Sequence, residues 1–326
     1  MRNSIKKKKR QGNIVLYIGL LALPLLQFSI MYVGVNFKSI LMAFQDYVIE
    51  DGIGHFQMKG FDNIIQAFKD VFGLSEASSG SLTIQMIINS FIAYSFSILV
   101  STPCALFFSY YIVKKFVGWK FFRIVMFIPA ILAGVITANV FEIICNGIIP
   151  ELLGKINGVT SNDIEYIEYF FMQNEKTIIP SLLLYSFILG FTSNVLLYSG
   201  AMSGISEELF DAAKIDGATD FQEFIYIVFP GVWGTFSTFI VVGVSGFFTV
   251  DLGLYNIFAH NAPASVQTIG YYLHVNALSG AQSGGAGNAL TKYPYMAALG
   301  VLFTLMVMPI VFSVRYLLHR FGPSEE

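Results

Sequence analysis

Long apolar runs alternate with polar stretches along the chain, and this pattern predicts its architecture. Six apolar runs stand out, at residues 14–37, 86–113, 121–145, 178–203, 225–250 and 295–319. A helix needs about 20 apolar residues to cross the hydrocarbon core of a bilayer. Because lipid offers no hydrogen-bond partners to a backbone, each run must bond internally, as a helix does. The pattern therefore predicts six transmembrane helices, and it lacks the alternation typical of a β-barrel.

Composition supports the same class of protein. Hydrophobic residues make up 55% of the chain and charged residues only 12%, against roughly 25% charged residues in soluble domains. We therefore predict an all-α, polytopic membrane protein. Its predicted parts are a basic N-terminus (1–13), a first span (14–37), an outer segment (38–85), a core with five further spans (86–319) and a tail (320–326).

Basic residues are unevenly divided between the two sides of this six-span arrangement. Of the 19 Lys and Arg residues, six lie in the N-terminus, four between the second run and the start of the third, at 114–123, one before the fifth run and two near the C-terminus. Loops rich in Lys and Arg stay in the cytoplasm, so both termini are predicted to be cytoplasmic. The first apolar run exceeds the roughly 7–15 residues of a signal-peptide core, and we expect a retained helix.

Charged residues crowd into one cytoplasmic loop, "EELFDAAKIDGATDFQEFIYIVFP" at residues 207–230. Ser206 is a suitable N-cap for a helix, and Glu207 and Glu208 then fall in its first turn, where negative charge favours the helix dipole. Gly217 can adopt the left-handed conformation that ends a helix. The first part of the loop is therefore predicted to be a short helix with an acidic start.

A second short helix is predicted directly after this turn. Thr219 and Gln222 match a capping box, in which each side chain bonds the backbone of the other residue. Helical spacing predicts one apolar side for each short helix. These sides contain Ile205, Leu209 and Ala212 in the first helix, and Phe221, Phe224, Ile225 and Val228 in the second.

The chain carries no recognisable motif for catalysis or metal binding. A phosphate-binding loop requires a Gly-Lys pair followed by Ser or Thr, and the sequence contains no such triplet. The four histidines are widely separated, and Cys104 and Cys145 form no metal-ligand pattern. We predict no catalytic residue, no bound metal or cofactor and no nucleic-acid partner.

The stretch "DAAKIDGATDFQEFIYIVFP" resembles the EAA loop in the permease subunits of binding-protein-dependent ABC importers. That pattern is Glu-Ala-Ala, three residues, Gly, and an apolar-x-x-Pro ending. Ala212, Ala213, Asp216, Gly217, Ala218 and Pro230 match it, and Asp211 stands in place of the Glu. The stretches "GFDNIIQAF", "INS" at 88–90 and "KKFVGWKFFRIVMFIPAILAG" at 114–134 resemble the carbohydrate branch, of the maltose and glycerol-phosphate type.

This resemblance implies a type I ABC importer permease fold in a bacterial plasma membrane. The EAA-like loop, residues 204–230, would hold a coupling helix that docks on a separate ATPase subunit. The residues so assigned to coupling are Glu207, Asp211, Ala212, Ala213, Asp216, Gly217 and Ala218. The implied partners are membrane lipid, a second permease subunit, two ATPase subunits that bind ATP and Mg, and an extracytoplasmic solute-binding protein.

Polar side chains inside apolar spans are costly in lipid and usually face an interior cavity. The candidates for a translocation path are Asn139 and Glu142 in the third run, Ser193 and Asn194 in the fourth, and Ser245 and Thr249 in the fifth. Ser and Thr have an alternative role, since they often bond back to their own helix. Most aromatic residues are expected at the membrane interfaces or against lipid.

Two other functions remain open from the residues alone. A secondary transporter driven by an ion gradient is expected to show internal inverted repeats and broken helices, and no clear repeat is visible. An ABC permease for a solute other than a sugar would carry the same loop. The function we predict is the translocation subunit of a carbohydrate ABC importer, without an ATP site of its own.

Overall fold

A computed structural model describes residues 17–50, 53–72, 74, 84–149, 151–152, 176–282 and 286–323. The basic N-terminus, the end of the tail and large parts of the predicted outer segments lie outside the described residues. Within the described part, four helices are long and apolar enough to cross a membrane, and two bent helix pairs raise this number to six if each pair forms one span. The prediction of a helical membrane protein is confirmed.

The described residues form two compact units. One unit contains the residues up to 74 and those between 280 and 302, and the other contains residues 84–279 and those from 303 onward. Every residue that the sequence assigns to coupling or to the translocation path lies in the second unit.

The first unit begins with a long apolar helix and continues into a small outer structure. Its elements are α1 (Tyr17–Met42), strands β1 (Gln45–Glu50) and β2 (Ile53–Met58), and helix α2 (Asp62–Val71). The two strands pair antiparallel. Lys59 Nζ lies 2.6 Å from Asp46 Oδ2, and this contact raises the pKa of Lys59. The hydroxyl of Tyr295 donates to Asp70 Oδ2 at 2.6 Å and holds the end of α2.

The second unit is a bundle of helices with one polar loop. Its elements are α3 (Ile84–Val113), α4 (Trp119–Ile131), α5 (Gly134–Ile143), α6 (Ile178–Met202), α7 (Glu207–Ile215), α8 (Asp220–Gly231), α9 (Trp233–Ser245), α10 (Leu254–Phe258) and the start of α11 (Ile269–Gln282). The last helix, α12 (Ala286–Phe321), contributes residues to both units.

The third apolar run, predicted as one helix, is broken into α4 and α5. Leu132 and Ala133 between them have extended backbones, with ψ of 145° and 144°. Pro129 in the last turns of α4 removes one helical hydrogen bond. The carbonyl of Gly134, at the start of α5, accepts a hydrogen bond from the Tyr185 hydroxyl at 3.2 Å. Tertiary contacts therefore stabilise a break that apolarity alone does not reveal.

The fifth apolar run is also broken rather than continuous. α8 and α9 meet at a bend of 67°, directly after Pro230, and prolines are a common cause of helix bends. α9 ends at Ser245, before the predicted boundary at 250, and a 3₁₀ turn follows over Phe247–Thr249. The fourth run, by contrast, forms the single helix α6 that its length predicts.

The core of the second unit lies where α3 and α6 pack along each other. Leu106 of α3 and Tyr198 of α6 are buried together in a cluster that extends to α8. Toward the other end of α6, Leu182 is buried with Leu254 and Tyr271. The bundle is thus held at both ends, and the loop that contains α7 and α8 attaches to the first of them.

Candidate functional site

The polar loop between α6 and α9 folds into the two short helices that its sequence predicts. The hydroxyl of Ser206 caps α7 and accepts a hydrogen bond from the backbone N–H of Glu208 at 3.3 Å. Glu207 and Glu208 occupy the first turn of α7, and Lys214 occupies the last. This order of charges matches the helix dipole. The predicted capping of α7 is confirmed.

Helix α7 ends on Gly217, which has a φ of +74°. The backbone N–H of Gly217 bonds the carbonyl of Lys214 at 3.2 Å, and that of Ala218 bonds the carbonyl of Ala213 at 2.9 Å. These two bonds form the Schellman ending of a helix, which favours Gly at the left-handed position. A Cβ at position 217 would meet no atom within 4 Å. The backbone conformation, rather than a lack of space, therefore requires Gly here.

Helix α8 begins with the predicted capping box. Thr219 Oγ1 accepts from the N–H of Gln222 at 3.3 Å, and Gln222 Oε1 accepts from the N–H of Thr219 at 2.8 Å. A π-helical stretch over Phe224–Val228 follows, and the helix continues to Gly231. Because the capping box sets the start of α8 one residue after the turn, the path of the loop is tightly defined.

The predicted apolar side of α7 is wrong in its orientation. Leu209 is 51% exposed and Ala212 is also exposed, whereas Ala213 is buried. Of the three predicted residues, only Ile205 packs against the bundle core, together with Phe210, which was not predicted. A helix of nine residues touches the bundle along one flank only, and periodicity alone does not determine which flank.

The predicted apolar side of α8 is only partly correct. Phe224 and Val228 are buried as expected, but Phe221 is 62% exposed and Ile225 is 40% exposed. The π-helical stretch adds residues to each turn and shifts the buried face away from the 3.6-residue spacing. Beside Phe224, the side chain of Glu223 also turns inward and is buried, although this residue precedes the π-helical stretch.

The residues that the resemblance assigns to coupling lie mostly on the outside of the loop. Glu207, Asp211, Ala212, Asp216 and Gly217 are exposed, Ala218 is half-buried and Ala213 is buried. Asp211 Oδ1 lies 3.1 Å from Lys214 Nζ, and both side chains are more than half exposed. Such a surface ion pair contributes only about 0–1 kcal/mol. Asp211 is therefore available to exchange this contact for one with a partner protein.

Three residues that the sequence did not single out hold the loop to the bundle, and we call Tyr110, Lys114 and Glu223 the Glu223 cluster. Glu223 is 3% exposed, and its Oε1 lies 2.6 Å from Lys114 Nζ. The Tyr110 hydroxyl donates to the same oxygen at 2.8 Å. Tyr110 lies in the last turn of α3, and Lys114 is the C-cap of that helix. No local spacing signals this contact, because its partners are 109 and 113 residues apart.

Aromatic packing surrounds the Glu223 cluster. The ring of Phe224 stacks on Phe107 at 4.6 Å between centroids and lies 5.4 Å from the ring of Tyr110. The ammonium group of Lys114 also lies 5.2 Å from the centroid of Phe210 in α7. The end of α3 therefore contacts both short helices, and α8 is the more firmly attached of the two.

A cavity of about 560 Å³ lies within the second unit, lined by residues of α3, α6, α9 and the segment that follows α9. Its aromatic lining residues are Tyr94, Tyr185, Tyr198 and Phe239, and its polar ones include Ser97, Thr102, Ser186, Asn194, Thr249, Asp251 and Asn256. Asp251 is the one carboxylate among these lining residues, and they include no Lys, Arg or His. The cavity thus combines aromatic faces, hydroxyls and amides.

The predicted path residues divide between this cavity and the outside of the helices. Asn194 and Thr249 line the cavity, whereas Ser193, Ser245, Asn139 and Glu142 do not. The Ser245 hydroxyl donates to the carbonyl of Val242 at 2.7 Å, which is the alternative role that its sequence left open. Asn139 and Glu142 are exposed on α5. Assignment of Asn194 and Thr249 to a path remains a prediction.

Sequence reasoning missed the tyrosines that line the cavity because it placed most aromatic residues at the interfaces. A signal was present in α6, where Ser186, Gly190, Asn194 and Tyr198 repeat every four residues on a largely apolar helix. This spacing places them along one face, and all four line the cavity. Within the described ranges, no group of three His, Cys, Asp or Glu side chains is arranged to hold a metal ion.

Comparison with curated proteins finds relatives among sugar transport permeases, although no protein-family model matches the chain. Over 220 residues the chain is 22% identical to the arabinooligosaccharides transport system permease protein AraP of Bacillus subtilis, and the match covers 67% of this chain and 66% of AraP. Over 332 residues it is 21% identical to the polygalacturonan/rhamnogalacturonan transport system permease protein YteP of the same species. That match covers 97% of this chain and 94% of YteP.

The same fold occurs in a solved transporter. A chain of a bacterial ABC transporter that imports the acidic polysaccharide alginate matches with a TM-score of 0.68 at 17% identity, covering 97% of this chain and 99% of that chain. In a second structure, matched with a TM-score of 0.69, the alginate transporter is in complex with a periplasmic protein bound to an alginate pentasaccharide. At this level of identity the likeness concerns the fold.

Proposed function

We infer that this chain, a permease subunit of the carbohydrate ABC importers, forms part of the path by which a saccharide crosses the bacterial plasma membrane. In the proposed complex a second permease subunit completes the path, and an extracytoplasmic binding protein delivers the saccharide. Two ATPase subunits bind ATP and Mg, while this chain contributes no ATP site. The loop, both termini and the connection between α3 and α4 face the cytoplasm.

The observation that carries this proposal is the division of the polar loop into an anchored half and an exposed half. α8 is fixed to α3 by the Glu223 cluster, and α7 projects acidic residues together with Leu209 and Ile215, which are 51% and 86% exposed. Exposed apolar side chains rimmed by charge are typical of protein interaction surfaces. A helix that is accessible on one side and attached on the other suits the transfer of movement from an ATPase to the membrane helices.

The cavity lining favours an uncharged saccharide over an acidic one. Tyrosine rings offer apolar faces to sugar rings, and the amides of Asn194 and Asn256 offer both donors and acceptors to sugar hydroxyls. The carboxylate of Asp251 would repel a uronate, since like charges are unfavourable where water is partly excluded. No cation among the lining residues offsets this repulsion. We propose neutral oligosaccharides as the substrate class.

Transport by the reconstituted complex tests this function. The chain is inserted in proteoliposomes with its second permease, ATPase and binding protein, and uptake of a labelled neutral oligosaccharide is compared with uptake of a uronate oligosaccharide of equal length. We expect uptake of the neutral sugar only when ATP is present on the side of the membrane where the ATPases are bound. Asp251→Asn should raise uptake of the uronate, because it removes the repelling charge.

Two results would contradict the proposal. Uptake driven by a proton or sodium gradient in the absence of ATP would favour a secondary transporter. Faster ATP-dependent uptake of the uronate than of the neutral sugar would show that the cavity does not select against acidic saccharides. The loading of the binding protein with each sugar is measured separately, so that a failure of delivery is not mistaken for selection by the permease.

A further inference from the structure

We propose that the Glu223 cluster is the joint through which movement of α7 reaches the end of α3, so that Tyr110, Lys114 and Glu223 are positioning residues in the transport cycle. The inference rests on the proposed function, since a joint has this role only if α7 docks on an ATPase. Nothing in the EAA-like pattern itself assigns these three residues, because Glu223 falls among its variable positions.

Lys114 is the point at which the end of α3 meets both short helices. Its Nζ lies 2.6 Å from Oε1 and 2.8 Å from Oε2 of Glu223 in α8. The same ammonium group lies 5.2 Å from the ring centroid of Phe210 in α7. The Tyr110 hydroxyl, which donates to Glu223, also lies 3.1 Å from the carbonyl of Asp220 at the first turn of α8, so the two oxygens share its one proton. A displacement of either short helix therefore acts on α3 at one place.

Apolar packing alone would attach α8 without fixing its position along α3. Phe224 and Val228 are buried against the bundle, but hydrophobic contact is non-directional and tolerates sliding. A carboxylate that receives an ammonium group and a phenol hydroxyl has one favourable geometry. Buried ionic groups are best attested as devices that set such a register. We infer that the hydrophobic contacts attach α8 to the bundle and that the Glu223 cluster fixes its position along α3.

Because Glu223 is buried and Lys114 is largely buried, the position of α8 along α3 is sensitive to the loss of either residue. The side chain of Glu223 is 3% exposed and that of Lys114 is 16% exposed. A buried carboxylate without its cation is strongly unfavourable, so Glu223 must either move to water or take up a proton, and each change ends the charged contact that fixes α8 on α3. Lys114→Met should therefore displace the loop, whereas Lys114→Met combined with Glu223→Gln leaves no buried charge and should restore much of its order.

The test uses the complete importer in nanodiscs and measures three quantities for each variant. Basal ATP hydrolysis reports that the ATPase is docked, and the rise caused by sugar-loaded binding protein reports coupling. Hydrogen exchange of residues 207–231 reports the order of the loop. For Lys114→Met we expect at least a tenfold loss of the stimulated rise and faster exchange in the loop. The double variant should regain slow exchange, and Lys114→Arg, which keeps the charge, should retain most of the stimulation.

A matched control is available in the other unit. Lys59 and Asp46 are also 2.6 Å apart, but their side chains are 49% and 32% exposed. Lys59→Met removes the same charge from an exposed pair and should leave all three quantities at the wild-type level. An importer whose wild-type form shows no sugar-stimulated hydrolysis would count against the proposed function itself, and the exchange measurements would still test the joint.

Two outcomes would overturn the joint. One is a Lys114→Met importer that is less abundant or less heat-stable but keeps its full stimulation by loaded binding protein, since the residue would then be structural only. The other is a Lys114→Arg variant as defective as Lys114→Met, because the effect would then come from shape rather than from the charge that holds Glu223.

Discussion

Replacing Gly217 tests whether the ending of α7 determines how the loop meets its partner. At a φ of +74°, an ordinary L-residue costs about 1–2 kcal/mol relative to Gly, because its Cβ crowds the following carbonyl. A Cβ at this position would meet no other atom within 4 Å, so this strain is the whole penalty. Asn tolerates the left-handed region best after Gly, and β-branched residues tolerate it least. The expected order of damage is therefore Gly217→Asn, Gly217→Ala and Gly217→Val.

The strain translates directly into a loss of docking. A destabilisation of about 1–2 kcal/mol changes a two-state ratio by a factor of about 5–30. Under the proposed function, the free loop can relax into an uncapped conformation, whereas docking on the ATPase requires the capped one that presents Asp211. The apparent Kd of the ATPase for the permease should therefore rise by about 5- to 30-fold for Gly217→Ala. The loop lies outside the spans, so we expect normal membrane abundance.

Titration of the ATPase onto the permease pair in nanodiscs measures this effect. Gly200 in α6 is a matched control, because it lacks a positive φ and a Cβ there would also meet no atom within 4 Å. Gly200→Val should bind the ATPase as the wild type does. Wild-type affinity for Gly217→Val, or equal losses for the Asn and Val variants, would refute the role assigned to the left-handed ending.

Two further predictions concern the cavity and the topology. Asn194→Leu should lower saccharide uptake at least tenfold without weakening ATPase docking, whereas Ser193→Leu, one residue away and outside the cavity, should do neither; equal uptake by the two variants would remove Asn194 from the path. In a cysteine-free background, a cysteine at Gln57 should react with an impermeant thiol reagent applied to intact cells, and one at Ser206 should not. Reaction at Ser206 in sealed cells would reverse the proposed orientation.

Sequence predicted best those features that depend on a few neighbouring residues. The N-cap of α7, its ending at Gly217 and the capping box at Thr219 each rely on residues within four positions. The apolar runs likewise revealed the spans, since a bilayer demands a length that chance rarely supplies. The conformation of such caps and turns depends little on contacts with the rest of the fold.

Features set by distant contacts were not predictable in the same way. The inward turn of Glu223 depends on Lys114, 109 residues earlier, and on Tyr110, 113 residues earlier. The break between α4 and α5 is likewise supported from α6, through the Tyr185 hydroxyl. In each case a partner from another helix compensates a polar or strained group, and a single segment does not encode that partner.

The acidic residues of the loop include both exposed and buried side chains. Glu207 and Asp211 face outward, where they are available to a partner, while Glu223 faces inward and binds the end of α3. α8 then continues through a bend of 67° into α9, and both α3 and α9 line the cavity, through Tyr94 and Phe239 among others. Under the proposed function, a push on α7 therefore reaches two walls of the cavity at once. The proposed function thus assigns a role both to the exposed charges of α7 and to the buried charge of α8.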